Sequence, residues 1–597
     1  MAAPIEDYAI LSNCRTAALV SREGSIDWLC LPRYDSPSIF GALLGEKKHG
    51  HWTIRAADPD ATVARYYEDD TFVLVTRWET STGVAEVRDF MPIDGGRVEL
   101  VRRVEGVSGH VDFTTELRMR FDYARALPWV RQVGSHVEPA LLAIAGPDAV
   151  LVRGVEMNPD DHVHRGSFTV EARSGVDLTL TWFPSHREAP DPADVDRMLT
   201  HTLHWWREWA GRVDHDGPFE DEVVRSLMVL RALTHEDTGG IVAAATTSLP
   251  EDFGGVRNWD YRYVWLRDAA LTIEALISHG FLRVTARWRQ WLLRAIAGDP
   301  KDLQIMYGLA GERDLVEREL ASLPGYEGSA PVRIGNGASD QYQGDVIGEV
   351  MVALEAARVA GVEETDFSWA LQRAMLAFVE RHFDKPDNGI WEIRGEPQKF
   401  THSRAMIWAA FDRGARAVRD YGLPGDAQKW EKLRDQVRAE IDAHGFDAER
   451  GHFVQHYGST EVDASLLLLA QVGFVAHDDP RMLGTVAEME RTLMVDGLLH
   501  RYRTESGVDG LAGTEHPFLA CSFWLVEQYA NSGRVDDAMA LMTRLCGFAN
   551  DVGLLSEEYD VEGARQAGNT PQALSHLALV RAADALAGHH GRAADRE

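Results

Sequence analysis

The sequence predicts two domains in series, an antiparallel β-sandwich followed by an α/α barrel. Three observations carry this expectation. At 597 residues the chain is too long for one ordinary core. Up to about residue 190 its apolar residues recur with period two, and beyond residue 219 with period 3.6. The helices of the second part are of two kinds, one with a solvated face and one apolar nearly all round, as an outer and an inner ring require.

The β part shows itself in SFTVEARSGVDLTLTW. Phe168, Val170 and Ala172 alternate with Thr169, Glu171 and Arg173; after Ser174-Gly175, Leu178, Leu180 and Trp182 alternate with Thr179 and Thr181. The pattern reads as a hairpin with one buried face. Segments 71–90 and 98–121 behave similarly, and residues 1–190 are assigned to the sandwich. Residues 191–219 are a polar, Asp- and Trp-rich connector of helical character, ADVDRMLTHTLHWWREWAG, and 220–597 form the barrel.

Helices are expected near 221–235, 268–280, 284–297, 345–360, 366–383, 402–421, 425–444, 463–473, 480–493, 517–532, 534–547 and 571–588. In DAQKWEKLRDQVRAEIDA, Trp430, Leu433, Val437 and Ile441 lie on one stripe, which marks an outer helix. RAMIWAAF (404–411) is apolar nearly all round, which marks an inner one. No fixed repeat period appears, which argues against a solenoid.

Composition excludes several function classes. A net charge of −32 repels phosphate backbones and anionic membranes, so no nucleic-acid or lipid partner is expected and a neutral substrate suits the surface. No window reaches the ~20 apolar residues of a membrane span. Cys14, Cys30, Cys521 and Cys546 lack metal-type spacing and read as free buried thiols in a reducing compartment. MAAPIEDYAILSNC has neither a basic start nor a long apolar run, so cytoplasm is the expected location. No His-Glu-x-x-His and no Asp-rich calcium loop is present, so no metal is expected.

Four segments carry chemistry. In NWDYRYVWLRDAAL (258–271), Trp259, Tyr261, Tyr263 and Trp265 crowd ahead of Arg267-Asp268. It reads either as a helix cap with core aromatics or as a sugar subsite, with rings for C–H faces and a charged pair for hydroxyls. In GIWEIRGEPQKF, Glu392 follows Trp391; beside a large apolar ring a carboxyl resists ionisation. KFTHSRAMIW enters a buried helix, and its His402 reads as a core or helix-start histidine. In LLSEEYD, Glu557 and Glu558 are adjacent, so only one can face a shared pocket. Their alternative reading is a solvated charge cluster. Glycoside hydrolysis needs one protonated and one ionised carboxyl across a bond. Glu392 suits the acid, and a glutamate of the 557–558 pair suits the base if Ser556 and the second carboxylate keep that corner wet. The two lie 165 residues apart, on different helical hairpins.

Together these segments resemble glycoside hydrolase family 15, the glucoamylase, glucodextranase and bacterial trehalase family. The resemblance runs from IEDYAILSNCRTAALVSREGSIDWLCLPRYDSPSIFGALL through GGIVAAATTSLPE, the four segments, GDVIGEVMVAL and DASLLLL to GNTPQALSHLALV. It implies a β-sandwich, a linker and an (α/α)6 barrel, and hydrolysis with inversion. It makes Glu392 the general acid and Glu557 the general base, with Glu558 where glutamine is common. It assigns Trp265, Arg267 and Asp268 to the grip on the innermost glucose; Trp259, Trp391 and Glu558 are added as substrate-binding residues.

The reading is an inverting, exo-acting α-glucoside hydrolase whose partner is a small sugar. Trehalose comes first as substrate, and short malto- or isomalto-oligosaccharides second. A glycoside phosphorylase and a catalytically silent sugar-binding protein are the readings from other classes. The chemistry calls for no cofactor; the resemblance leaves phosphate or magnesium dependence open, and the sequence leaves a homo-oligomer open.

Overall fold

The computed structural model describes residues 2–93, 96–135, 137–297 and 302–588. Strands between Tyr8 and Pro184 form two antiparallel sheets joined through one long strand, Val98–Arg118. Its first half pairs with Gly83–Phe90 and Gly175–Pro184; its second half pairs with His51–Ala56 and Val163–Glu171. The changeover falls at Gly106 and Gly109. A Cβ on Gly106 would lie 2.1 Å from the Glu171 carbonyl, and Gly109 has φ +60°, so the strand changes sheets where only glycine fits. The sheets face each other across rings such as Trp78 and Phe113, 6.5 Å apart edge to face.

Two sequence expectations change here. Segment 98–121 is one strand, bent rather than reversed at its glycines. The strands flanking Ser174-Gly175 are not hairpin partners: both run antiparallel to the same long strand, so they follow one another in one direction. Period-two alternation specifies a buried face; it does not name the partner strand.

Among the described residues thirteen α-helices follow: α1 (Val195–Ala210), α2 (Glu220–Ala232), α3 (Leu266–Ser278), α4 (Leu282–Ala295), α5 (Val346–Val359), α6 (Asp366–His382), α7 (Thr401–Tyr421), α8 (Ala427–His444), α9 (Leu468–Gln471), α10 (Pro480–Thr492), α11 (Leu519–Asn531), α12 (Val535–Cys546) and α13 (Ala573–Leu586). Helices α3, α5, α7, the short α9 segment, α11 and α13 pack in succession and close on themselves, with the remaining even-numbered helices outside. This is an (α/α)6 barrel. Pattern explains position: α11 is buried continuously from Leu519 to Tyr529, whereas α8 buries Trp430, Val437 and Ile441 along a single stripe. The helix expected over 463–473 is only a 3₁₀ turn, Ala464–Leu467, running into α9. Asp463 takes the Ser465 N–H and hydroxyl at 3.1 and 2.5 Å, tightening the start, and Gly473 at φ +77° ends it. The four cysteines are free thiols. Among the described residues no helix is long and apolar enough to cross a membrane.

One buried residue ties the halves together. The Arg262 guanidinium donates to both Asp260 oxygens at 2.9 and 2.7 Å, and also to the Ser36 carbonyl (3.0 Å) and the Tyr123 hydroxyl (2.9 Å) of the β domain. Both members of the pair are fully buried. Breaking such a pair on one side strands a charge, at a cost of about 3–5 kcal/mol, whereas replacing both members with apolar residues costs less. Arg262→Leu is therefore expected to lower the denaturation midpoint more than the Asp260→Leu/Arg262→Leu double variant does. A double variant at least as unstable as the single one would contradict this.

Candidate active site

The segment running into α3 is extended and alternates. Asp260 and Arg262 point to the β domain, and Trp259 and Tyr261 point the other way, onto a cavity at the mouth of the barrel. The Trp259 indole N–H donates to Glu251 Oε1 at 3.1 Å, and its ring lies under the guanidinia of Arg333 and Arg394 at 4.6 and 4.4 Å. Trp265 opens α3 without a side-chain cap. In the first helical turn, Arg267 Nε donates to Asp268 Oδ1 at 2.7 Å and its NH1 donates to the Ile390 carbonyl at 2.6 Å. Asp268 therefore does not cap the helix; it is held by Arg267 and borders the cavity.

Glu392 lies in a turn with φ +58°, a left-handed conformation that costs a non-glycine residue about 1–2 kcal/mol. The turn sends adjacent side chains apart. The Trp391 ring packs on Tyr502, Phe518 and Trp524 with centroids 6.0–6.3 Å away, and its N–H reaches Asp463 at 3.2 Å. Glu392 instead meets Trp265, whose indole N–H donates to Oε1 at 2.6 Å, with Arg267 3.7 Å from the same oxygen. The ring touching the carboxyl is thus Trp265 and not Trp391. Burial raises the Glu392 pKa to about 7, against the lowering pull of Arg267 and the Trp265 N–H; Asp268 and Asp345 add to the rise.

Glu557 lies behind the cavity wall, against the lining residue Tyr261. Its Oε1 accepts from the Tyr261 hydroxyl at 2.5 Å and its Oε2 from the Asn569 N–H at 3.4 Å. Tyr261 and Trp265 pack edge to face with centroids 5.5 Å apart. Two neighbouring aromatics of one segment thus hold the two candidate carboxyls. Glu558 turns away: its Oε2 accepts from the His516 N–H at 2.9 Å and its Oε1 lies 3.5 Å from Arg501. Neither Glu557 nor Glu558 is itself among the residues lining the cavity; what separates them is that Glu557 reaches the lining residue Tyr261, and Glu558 the His516 N–H.

The corner expected to be wet is dry. Ser556, Glu557 and Glu558 are all at most 1% exposed. One oxygen from each of Glu251, Glu557 and Glu558 lies within 4.8 Å of the other two. Burial, and next the Glu251 charge, push Glu557 upward, opposed by Arg501, the Tyr261 hydroxyl and the Asn569 N–H. Burial raises Glu558 well above the carboxylate range. Three carboxyls at this spacing are also cation-ligand geometry; here the cation is Arg501, which donates to Glu251 at 3.0 Å and to Glu515 at 2.5 Å.

The sequence reading counted Tyr261 among the rings of a core or of a sugar subsite rather than as the donor to Glu557, and missed Glu251, Arg501 and Asn569. Glu251 and Asn569 sit at the ends of GGIVAAATTSLPE and GNTPQALSHLALV, among other polar residues that leave them without a local mark. Arg501 had none, because its partners are distant in sequence. His402 lies at the start of α7, about 1% exposed, with ring nitrogens 4.0 and 3.6 Å from Asp345 and Glu349, and takes no part in the cavity.

Comparison with known proteins adds to this geometry. Residues 217–584 match the model of glycosyl hydrolases family 15, and residues 1–178 match the trehalase-like N-terminal model. A trehalase of Mycolicibacterium smegmatis is 37% identical, with 97% of this chain and 90% of the relative covered. A trehalase of Thermoplasma acidophilum is also 37% identical, over 95% and 98%. In fold, the chain resembles a bacterial glucoamylase solved with acarbose, at TM-score 0.75 and 14% identity, covering 99% of this chain and 95% of that one.

The Trp265 hydrogen bond favours ionised Glu392, and the Asp268 charge disfavours it. Trp265→Phe should therefore raise the pKa of Glu392 and carry the alkaline limb of the pH–rate profile upward. A hydrogen bond to a charge is worth about 1.5–3 kcal/mol, so a shift of about one pH unit is expected. Asp268→Asn should move the same limb downward in its residual activity. Shifts in one shared direction would contradict this electrostatic account.

Proposed function

The chain belongs to the glycosyl hydrolases of family 15, and we propose that it cleaves trehalose with inversion, Glu392 acting as general acid and Glu557 as general base. The observation that carries the roles is the Tyr261–Trp265 pair: both side chains line one cavity, and each donates a hydrogen bond to one of the two carboxyls. The trehalases that resemble the chain along nearly its whole length support the substrate.

In the active form Glu392 is protonated and Glu557 ionised. Two donors, the Tyr261 hydroxyl and the Asn569 N–H, stabilise charge on Glu557. Close carboxyls titrate as a unit; Glu558, raised by burial and with no hydrogen bond at Oε1, holds the cluster's proton in this reading, although Arg501 lies 3.5 Å from that oxygen. Arg267 and Asp268 grip hydroxyls of the glucose whose C1 reacts, and Trp259 offers a ring to a sugar C–H face. Glu392 gives its proton to the departing oxygen while Glu557 takes one from water attacking C1 on the opposite face. Both steps run on the chain's own carboxyls. The acidic surface and free thiols suit a neutral sugar in a reducing compartment, the cytoplasm in this reading.

Glu392→Gln and Glu557→Gln should each lower kcat by roughly 10²–10⁴-fold with the fold retained, and Glu558→Gln by much less than Glu557→Gln. The reverse ranking of the two glutamates would move the base by one residue.

Product stereochemistry tests reaction and substrate together. Both anomeric carbons of trehalose are α; inversion changes only the attacked one, so early proton NMR should show β- and α-glucose in equal amounts. Only α-glucose would mean retention. Glucose 1-phosphate would mean a phosphorylase. No turnover of trehalose with rapid β-glucose release from maltotriose or isomaltose would overturn the substrate and keep the mechanism.

A further inference from the structure

A second cluster of ligating groups lies at the other end of α3 from the catalytic grip. His279 follows that helix directly, about 18 Å along the axis from Arg267-Asp268 at 1.5 Å per residue. His215 belongs to the connector between α1 and α2, and Asp584 to the last turns of α13. One donor atom from each lies within 4.8 Å of the other two. The His279 and His215 side chains are 3% and 1% accessible.

The outer nitrogens of both rings are committed. His279 Nδ1 lies 2.9 Å from the Asp214 carbonyl, and His215 Nε2 lies 3.1 Å from the Pro218 carbonyl. A carbonyl only accepts, so each of these nitrogens carries a proton. In the neutral rings the lone pairs then sit on His279 Nε2 and His215 Nδ1, facing the same oxygen, Asp584 Oδ1, at 3.3 and 3.5 Å. Two lone pairs aimed at a carboxylate oxygen repel unless positive charge lies between them: a second proton on each ring, or a cation.

The separations favour the cation. A charge-assisted N–H···O contact closes to about 2.7–2.9 Å, and no hydrogen bond reaches His279 Nε2. Ligands about 2.0–2.1 Å from a tetrahedral ion are about 3.3–3.4 Å apart, close to the two nitrogen–oxygen separations of 3.3 and 3.5 Å, and the two ring nitrogens lie within 4.8 Å of each other. Histidines whose second nitrogen is fixed by a backbone carbonyl are also how proteins orient metal ligands. We propose that His215, His279 and Asp584 bind one divalent transition-metal ion. Two imidazoles and a carboxylate select zinc, cobalt or nickel over magnesium or calcium. The three protein ligands leave a fourth position for water, which reaches Asp584 from a surface cleft it shares with Glu274 and Arg581. The bound ion clasps the connector to the inner ring and plays no part in the sugar chemistry.

The test uses the full chain stripped with chelator and titrated with Co²⁺ and Zn²⁺, by calorimetry and by the visible Co²⁺ spectrum. One ion per chain, an intense tetrahedral Co²⁺ band and a melting temperature several degrees higher with metal are expected. His279→Gln and Asp584→Asn should each weaken binding by more than about 100-fold and abolish the metal-dependent rise in melting temperature. If either variant fails to fold without metal, as judged by circular dichroism, His215→Gln in the connector takes its place. A stripped wild type that binds no Co²⁺ at micromolar concentration overturns the proposal. So does binding that persists in the variants, which would locate the ion elsewhere.

Discussion

The site depends on the buried ion pair of Asp260 and Arg262. Extended backbone turns successive side chains to opposite sides, so a segment locked on its even-numbered side is locked on its odd-numbered side too. Arg262 is gripped by Asp260 and by a carbonyl and a hydroxyl of the β domain; Trp259 and Tyr261 are thereby aimed at the cavity, and Trp265 follows at the helix start. The β domain contributes no residue to the reaction as proposed. Its part is to immobilise the strip of chain whose rings hold both carboxyls, which gives a sandwich far from the chemistry a physical reason to be present. A buried pair costs desolvation, and this one is offset by fully satisfied hydrogen bonds on the guanidinium.

Burial alone would keep both Glu392 and Glu557 protonated. What separates them is the company each keeps. Glu392 sits against Trp265 and Arg267, with Asp268 and Asp345 as its acidic neighbours. Glu557 sits among other acids: Glu251, Glu515, Asp509 and Glu558 share Arg257 and Arg501, two guanidinia for five carboxyls. Such a cluster must retain protons to exist, and the hydrogen-bond donors decide which member stays charged. Glu557 has a donor on each oxygen, whereas Glu558 has one on Oε2 and only the Arg501 guanidinium 3.5 Å from Oε1, which is the basis for proposing Glu557 as the charged member. Position in the network, more than burial, distinguishes the two adjacent glutamates.

The features legible in sequence were those written in local pattern. The stripe of Trp430, Val437 and Ile441 marked an outer helix, and the unbroken apolar run at 404–411 an inner one, because burial on one side or on all sides leaves a periodic trace. Trp265, Arg267, Asp268 and Glu392 stood out as charges crowded by rings. What could not be read was pairing between distant residues. The strands on either side of Ser174-Gly175 have clean alternation, yet their common partner is a strand some seventy residues earlier. Arg501 carries no local mark of the acids it serves. The neighbour of Glu392 was misjudged for the same reason: adjacency suggested Trp391, and a left-handed turn delivered Trp265, which lies 127 residues away in sequence.

Helix α3 unites these constraints. Its first turn presents Arg267 and Asp268 to the cavity, and Trp265, which opens it, sets the acid. Its opposite end meets the connector at His279. A rigid helix transmits position, so the grip on the sugar is only as well placed as the two ends of α3 are fixed. The β domain fixes the first end through Arg262, and the connector and α13 fix the second through Asp214 and Asp584. The inner helix carrying the grip is thus anchored by elements from outside its own ring. That is how the preceding domain and linker enter the geometry of a site they do not touch, and why the resemblance to family relatives runs through all three parts of the chain rather than through the barrel alone.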